Sequence, residues 1–89
     1  MITKEFTILN KSGLHARPAA LFVKTANKFK SKISVANGAS SVDGKSILGL
    51  MTLGAGQGEK ILVSASGSDE SQMIKAIRKI IKDKFDETE

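Results

Sequence analysis

Cysteine is absent from this 89-residue chain, tryptophan and tyrosine are absent too, and proline and histidine occur once each, as Pro18 and His15. Without cysteine there is no disulfide framework and no thiolate nucleophile, so the fold must rest on its packed core. One imidazole without clustered carboxylates cannot supply the inner ligands of a metal, and neither a metal nor another cofactor is expected. The four phenylalanines are the whole aromatic content. They are spaced like core residues, so the stacking platforms of single-strand nucleic-acid binders are missing, as are a KH-type GxxG clamp and an RNP-like segment. No Gly-x-Ser-x-Gly elbow is present for a serine hydrolase. No apolar run approaches the ~20 residues of a membrane span, and the N-terminus lacks the charged-then-apolar pattern of a signal peptide. A cytoplasmic setting without membrane insertion is the expectation.

What is abundant is positive charge: 14 Lys and Arg against 9 Asp and Glu, a net charge of +5 and a pI near 9.7. Such a surface suits acidic partners; nucleic acid fits the charge but not the missing aromatics. The length suits one domain over residues 1–89, large enough for a two-layer core and too small to enclose a deep cavity, so any site lies on the surface.

Ile2 to Leu9 alternates with Phe6 and Ile8 on one face, the period of a half-buried strand, although Lys4 interrupts it. From Ala16 to about Phe29 the apolar residues Ala19, Phe22, Val23, Ala26 and Phe29 recur at three and four, one face of a helix. Ile33 and Val35 begin a second strand, and Asn37-Gly38 offers a tight turn into a third, Ser40 to Asp43. Ser46 is an N-cap for a short helix of Ile47, Leu48, Leu50, Met51 and Leu53, weakened at Gly49 by about 1 kcal/mol relative to alanine. The Gly54-Ala55-Gly56-Gln57-Gly58 loop follows a helix and precedes a strand, the reverse of the strand-loop-helix order of nucleotide loops. Lys60 to Ser66 forms that strand. Ser68 or Asp69 then caps a last helix with a stripe of Met73, Ile74, Ile77, Ile80, Ile81 and Phe85, and residues 86–89 read as a frayed acidic tail. The order β-α-β-β-α-β-α predicts a mostly antiparallel sheet with helices on one face, an α+β two-layer domain.

His15 falls where the first strand's exit becomes a helix. A helix start presents free N–H groups and roughly half a positive charge, so an anion is stabilised there. With His15 as N-cap, Ala16, Arg17 and Pro18 fill the first turn, where a proline loses no intrahelical bond. A neutral imidazole attacks phosphorus, and the resulting phosphohistidine carries close to two negative charges that the open N–H groups and Arg17 can hold. Ser12 stands close enough in sequence to orient the ring or the phosphoryl group.

The run Ser12-Gly13-Leu14-His15-Ala16-Arg17-Pro18-Ala19 closely resembles the active-site signature of the HPr family, histidine-containing phosphocarriers of the phosphoenolpyruvate:sugar phosphotransferase system. Gly44-Lys45-Ser46-Ile47-Leu48-Gly49-Leu50-Met51-Thr52-Leu53-Gly54 resembles that family's regulatory-serine segment, and length, element order and Gly67 before the last helix agree. The resemblance covers nearly the whole chain. It implies an open-faced sandwich with strand order 1-4-2-3 and three helices on one face. It also implies phosphorylation of His15 through Nδ1 by phospho-enzyme I, with Arg17 stabilising the group, and onward transfer to a sugar-specific enzyme IIA. Such a protein is a stoichiometric carrier and not an enzyme by itself.

The same resemblance makes Ser46 the substrate of an ATP-dependent HPr kinase/phosphorylase, with the phosphoserine form binding a catabolite-control transcription factor. A dianion there places negative charge inside a surface adapted to acidic partners. Leu14, Ala20, Ile47, Leu48 and Met51 are the expected docking residues; for the last three the reason is that five apolar side chains within seven positions of the second helix exceed one buried face. A monomer is expected of a carrier that meets several partners. A regulatory or nitrogen-branch paralogue is the alternative, and retention of His15 with the well-matched Ser46 segment favours the sugar branch.

Overall fold

Alternation of side chains across the pleat decides which face of the sheet is covered. In the computed structural model, which describes residues 1–86, the strands are β1 (Ile2–Thr7), β2 (Lys32–Asn37), β3 (Ser40–Asp43) and β4 (Lys60–Ser66). The helices are α1 (Ala16–Ala26), α2 (Ile47–Leu53) and α3 (Glu70–Lys82), followed by a short turn over Lys84–Asp86. The sheet runs β1-β4-β2-β3, every pair antiparallel, with Phe6 opposite Ile61 and Val35 opposite both Val63 and Val42. Ile33, Val35, Ile61, Val63 and Ala65 are buried against Ala19, Phe22, Val23 and Ala26 of α1 and Met73, Ile74, Ile77 and Ile81 of α3. This is the α+β open-faced sandwich expected, in the strand order the resemblance implies. Lys4 shares the parity of Ile2 and Phe6 yet stays exposed, because β1 is an edge strand and a long side chain there reaches water.

Four local details differ from the sequence reading. Helix α1 stops at Ala26, not near Phe29: the N–H groups of Lys28 and Phe29 fold back on Thr25 and Ala26 in tighter three-residue bonds of 3.2 and 3.1 Å, and Phe29 packs half-buried from that turn. The β2–β3 turn is centred on Gly38-Ala39, one residue later than Asn37-Gly38, since Asn37 pairs with Ser40 and only Gly38 takes a positive φ, +64°. A glycine at the first central position followed by a residue with negative φ is the type II′ pattern. Asp69 is the N-cap of α3 by position, but its carboxylate turns away to accept bonds from the N–H of Lys30 and both the N–H and hydroxyl of Ser31. The helix start is tied instead by Glu70, whose carboxylate accepts from Gly67 N–H at 3.1 Å and pairs with the Met1 amine at 3.2 Å. Finally, Phe85 is buried but not helical. Lys84, Phe85 and Asp86 all have positive φ, so a left-handed turn delivers the ring to the core. The rest of the expected tail, residues 87–89, lies outside the described residues.

Candidate functional site

His15 is the N-cap of α1, with φ −77° and ψ −174°, and its exposed ring makes no capping bond of its own. The first intrahelical bond runs from Ala19 N–H to His15 C=O at 2.8 Å. The N–H groups of Ala16 and Arg17 therefore precede any intrahelical acceptor, and Pro18, buried beneath them, has none to offer. No acidic residue lies in this first turn, so nothing on the helix competes with an incoming anion for those donors. Ala16 and Arg17 are exposed beside the ring.

The approach to His15 is a tightly held loop. Asn10 is fully buried, and its side-chain amide donates to Gly13 C=O at 2.8 Å and to Ser12 Oγ at 3.4 Å. Ser12, read from sequence as a group that could orient the ring, thus also receives a bond from within its own loop. Leu14 N–H donates to Ala55 C=O at 2.9 Å. Gly13, at φ +66°, lies so close to the glycine loop that a Cβ there would stand 2.8 Å from Gly56 Cα and closer still to the Ala55 oxygen. Sequence reasoning missed both Asn10 and this glycine loop as parts of the site. The available signal was an Asn followed three residues later by Gly, a turn-forming pattern.

A shallow concavity of about 160 Å³ opens between Leu14, His15, Met51, Gly54, Ala55 and Gly56. Helix α2 therefore reaches the His15 site through Met51. On α2, Leu50 is fully buried while Ile47, Leu48 and Met51 are 42%, 73% and 42% exposed, and Ala20 is exposed on α1. Leu14 is the exception among the expected docking residues. Its side chain is only 2% exposed and belongs to the core, because its N–H is drawn inward onto Ala55.

Ser46 caps α2, accepting the Gly49 N–H on Oγ at 3.0 Å. A Cβ at Gly49 would stand 3.1 Å from Ser46 Oγ and 3.3 Å from Val42 Cβ. The glycine that weakens the helix on propensity is what lets α2 lie this close to β3.

With this geometry in view, a family model described as the PTS HPr component phosphorylation site matches residues 2–83. The chain belongs to the HPr family of phosphocarriers. The phosphocarrier protein HPr of Treponema pallidum is 40% identical over 87 residues, covering 98% of this chain and 99% of that protein. A crystal structure of HPr-C-His from Thermoanaerobacter tengcongensis superposes with a TM-score of 0.95 at 49% identity, over 100% of both chains. A crystal structure of an HPr dimer from the same organism gives 0.78 at 52% identity, over 94% of this chain and 99% of that one. Among the described residues of this HPr-family chain, no helix is long and apolar enough to cross a membrane, and no three His, Cys, Asp or Glu gather where they could hold a metal ion.

Proposed function

We propose that this phosphocarrier accepts a phosphoryl group on His15 from phospho-enzyme I of the phosphoenolpyruvate-dependent system and passes it to a sugar-specific enzyme IIA in the cytoplasm. The observation that supports this most directly is the exposed His15 ring, free of any capping bond, at a helix start with two open N–H groups and an exposed arginine. A lone pair on the ring, at Nδ1, forms the N–P bond as the phosphorus leaves enzyme I. The second transfer breaks that bond in favour of the nucleophile on enzyme IIA. Between the two, the phosphoryl charge rests against the N–H groups of Ala16 and Arg17 and the Arg17 guanidinium. The shallow site suits transfer between protein surfaces, because each partner excludes water in turn and the carrier presents only its nucleophile. As a stoichiometric carrier it is modified and discharged, with no turnover of its own.

Docking falls to Ala20, Ile47, Leu48 and Met51 around the ring, with the net positive charge of +5 favouring acidic partner faces. Ser46 is the regulatory site, phosphorylated by an ATP-dependent HPr kinase/phosphorylase, and its phosphoserine form binds a catabolite-control transcription factor. The half-buried Ser46 hydroxyl uses an oxygen lone pair as a cap, which leaves its O–H able to exchange for phosphorus while new charge enters the docking surface. The carrier acts as a monomer, which sedimentation against the dimeric relative would check. Incubation with enzyme I and labelled phosphoenolpyruvate should give an acid-labile phosphate that His15→Ala abolishes. Label that persists in that variant would overturn the assignment. ATP with the kinase should give an acid-stable label lost in Ser46→Ala.

A further inference from the structure

Three of the five residues at 54–58 are glycine, so this loop carries little side-chain bulk to hold its own shape and has much backbone freedom to lose. Yet it is the surface on which the His15 loop rests, through the 2.9 Å bond from Leu14 N–H to Ala55 C=O and the close approach of Gly13. Its one long side chain, Gln57, donates to Leu9 C=O at 3.1 Å, and the other side-chain ties come from outside the loop. One Glu59 oxygen accepts the Gly56 N–H at 2.8 Å, and the other accepts the Asn37 side-chain amide at 3.2 Å. The same amide reaches Leu53 C=O, at the end of α2, at 3.4 Å. The Glu59 main chain meanwhile continues the sheet, accepting Ile8 N–H at 2.9 Å, while Gly58 N–H returns to Ile8 C=O at 2.8 Å.

We infer that Glu59 and Asn37 form a clamp that positions His15: they lock the glycine loop to the end of β2 and the end of α2, and the loop in turn fixes Leu14 and the N-cap that follows it. Both are positioning residues, since neither lines the concavity at the ring. The inference rests on His15 being the phosphoryl acceptor. A nucleophile that must meet phosphorus in line between two docked surfaces is sensitive to displacements of an ångström, and the loop transmits any such displacement directly to residue 15.

The test exchanges the donor and acceptor of the clamp. Asn37→Asp sets two carboxylates against each other. Adding Glu59→Gln restores a donor–acceptor pair, since the introduced amide faces the introduced carboxylate while the oxygen of that amide still accepts Gly56 N–H. Phosphoryl uptake from enzyme I is measured across carrier concentrations, together with hydrogen exchange of the Leu14 amide. In Asn37→Asp the saturating rate should fall between about 5- and 100-fold, with the half-saturating concentration within about 2-fold of wild type because the docking residues are untouched, and Leu14 exchange should quicken. The double variant should recover the larger part of both, since it restores the link between residues 37 and 59 while Leu53 C=O stays without its donor. An unchanged saturating rate, a loss that the double variant does not lessen, or unchanged Leu14 exchange overturns the clamp. If Asn37→Asp does not fold, Glu59→Gln alone removes one acceptor without opposing charges and carries the same comparison. Failure of the wild-type chain to take label would count against the acceptor assignment, whereas unaltered Leu14 exchange counts against the clamp itself.

Discussion

Gly13 and Gly54 share the same positive φ, +66°, and differ in their surroundings, so a pair of alanine substitutions separates strain from crowding. At Gly54 an added Cβ meets nothing within 4 Å. Gly54→Ala therefore carries only the left-handed penalty, about 1–2 kcal/mol. At Gly13 the same Cβ would lie 2.8 Å from Gly56 Cα and nearer still to the Ala55 oxygen, both backbone atoms that cannot rotate away. The two loops must separate, which adds about 1–3 kcal/mol of overpacking and about 1 kcal/mol for the stretched Leu14–Ala55 bond. The expected difference between the variants is about 2–4 kcal/mol in urea unfolding, or roughly 8–30 °C in melting temperature for a domain of this size. Gly13→Ala should also slow phosphoryl uptake in its folded fraction, since the separation moves the His15 N-cap. Equal costs for the two substitutions, within about 0.5 kcal/mol, would refute the claim that the His15 loop is seated on the glycine loop.

Further expectations follow from neighbouring residues with opposite environments. Leu50→Ala should cost about 2–5 kcal/mol in denaturant titration while leaving enzyme I affinity near wild type in the folded protein. Met51→Asp, at a position 42% exposed, should do the reverse, weakening enzyme I binding in calorimetric titration with a stability change of about 1 kcal/mol or less. Ser46→Ala should lower stability by about 1 kcal/mol through the lost cap, as well as losing the kinase label. Asp69 is held below the ordinary carboxylate range, first by the Ser31 hydroxyl and then by the Lys30 N–H. Its folded value is the lower one, so its contribution is fully present above about pH 4 and fades as pH falls through the folded value. Asp69→Asn should thus be less stable than wild type at pH 7, with the gap closing on acidification. Glu70, lowered by the Gly67 N–H and then the Met1 amine, titrates in both proteins and cancels. A gap that stays constant from pH 7 to about pH 2 would contradict the Ser31–Asp69 link.

The parts of this molecule legible in its sequence are those dictated by periodicity and by single-residue backbone preferences. The stripe of α3 and the alternation of β4 each demand one buried face, and Ser46 and Gly54 mark the two ends of α2 where the structure has them. His15 could be placed at a helix start because Pro18 tolerates only the first turn. What escaped are interactions between segments far apart in the chain. Nothing local distinguishes an Asp69 that caps its own helix from one that reaches back to Ser31, 38 residues earlier. Gly49 reads as a helix weakness until Val42 is seen against it. Leu14, expected among the docking residues, is instead buried in the core with its N–H bonded to Ala55, a residue 41 positions away. The glycine loop, set aside because its order is wrong for a nucleotide, is part of the site for another reason: it is the seat of the loop that bears the histidine.

The strand order β1-β4-β2-β3 also sets a timetable for synthesis. The first strand pairs only with the fourth, Thr7 opposite Lys60, so the N-terminal segment has no partner until 53 further residues have been joined. At 5–20 residues per second that is roughly 3–10 seconds in which β1 exists as a lone strand. Lys4 and Glu5, at its middle, carry charge through that interval and discourage pairing between nascent chains. The His15 loop shares the delay, because its seat on the glycine loop is translated just before the partner strand. A nascent chain on the ribosome therefore displays the histidine well before it has built the surface that makes it a phosphoryl acceptor.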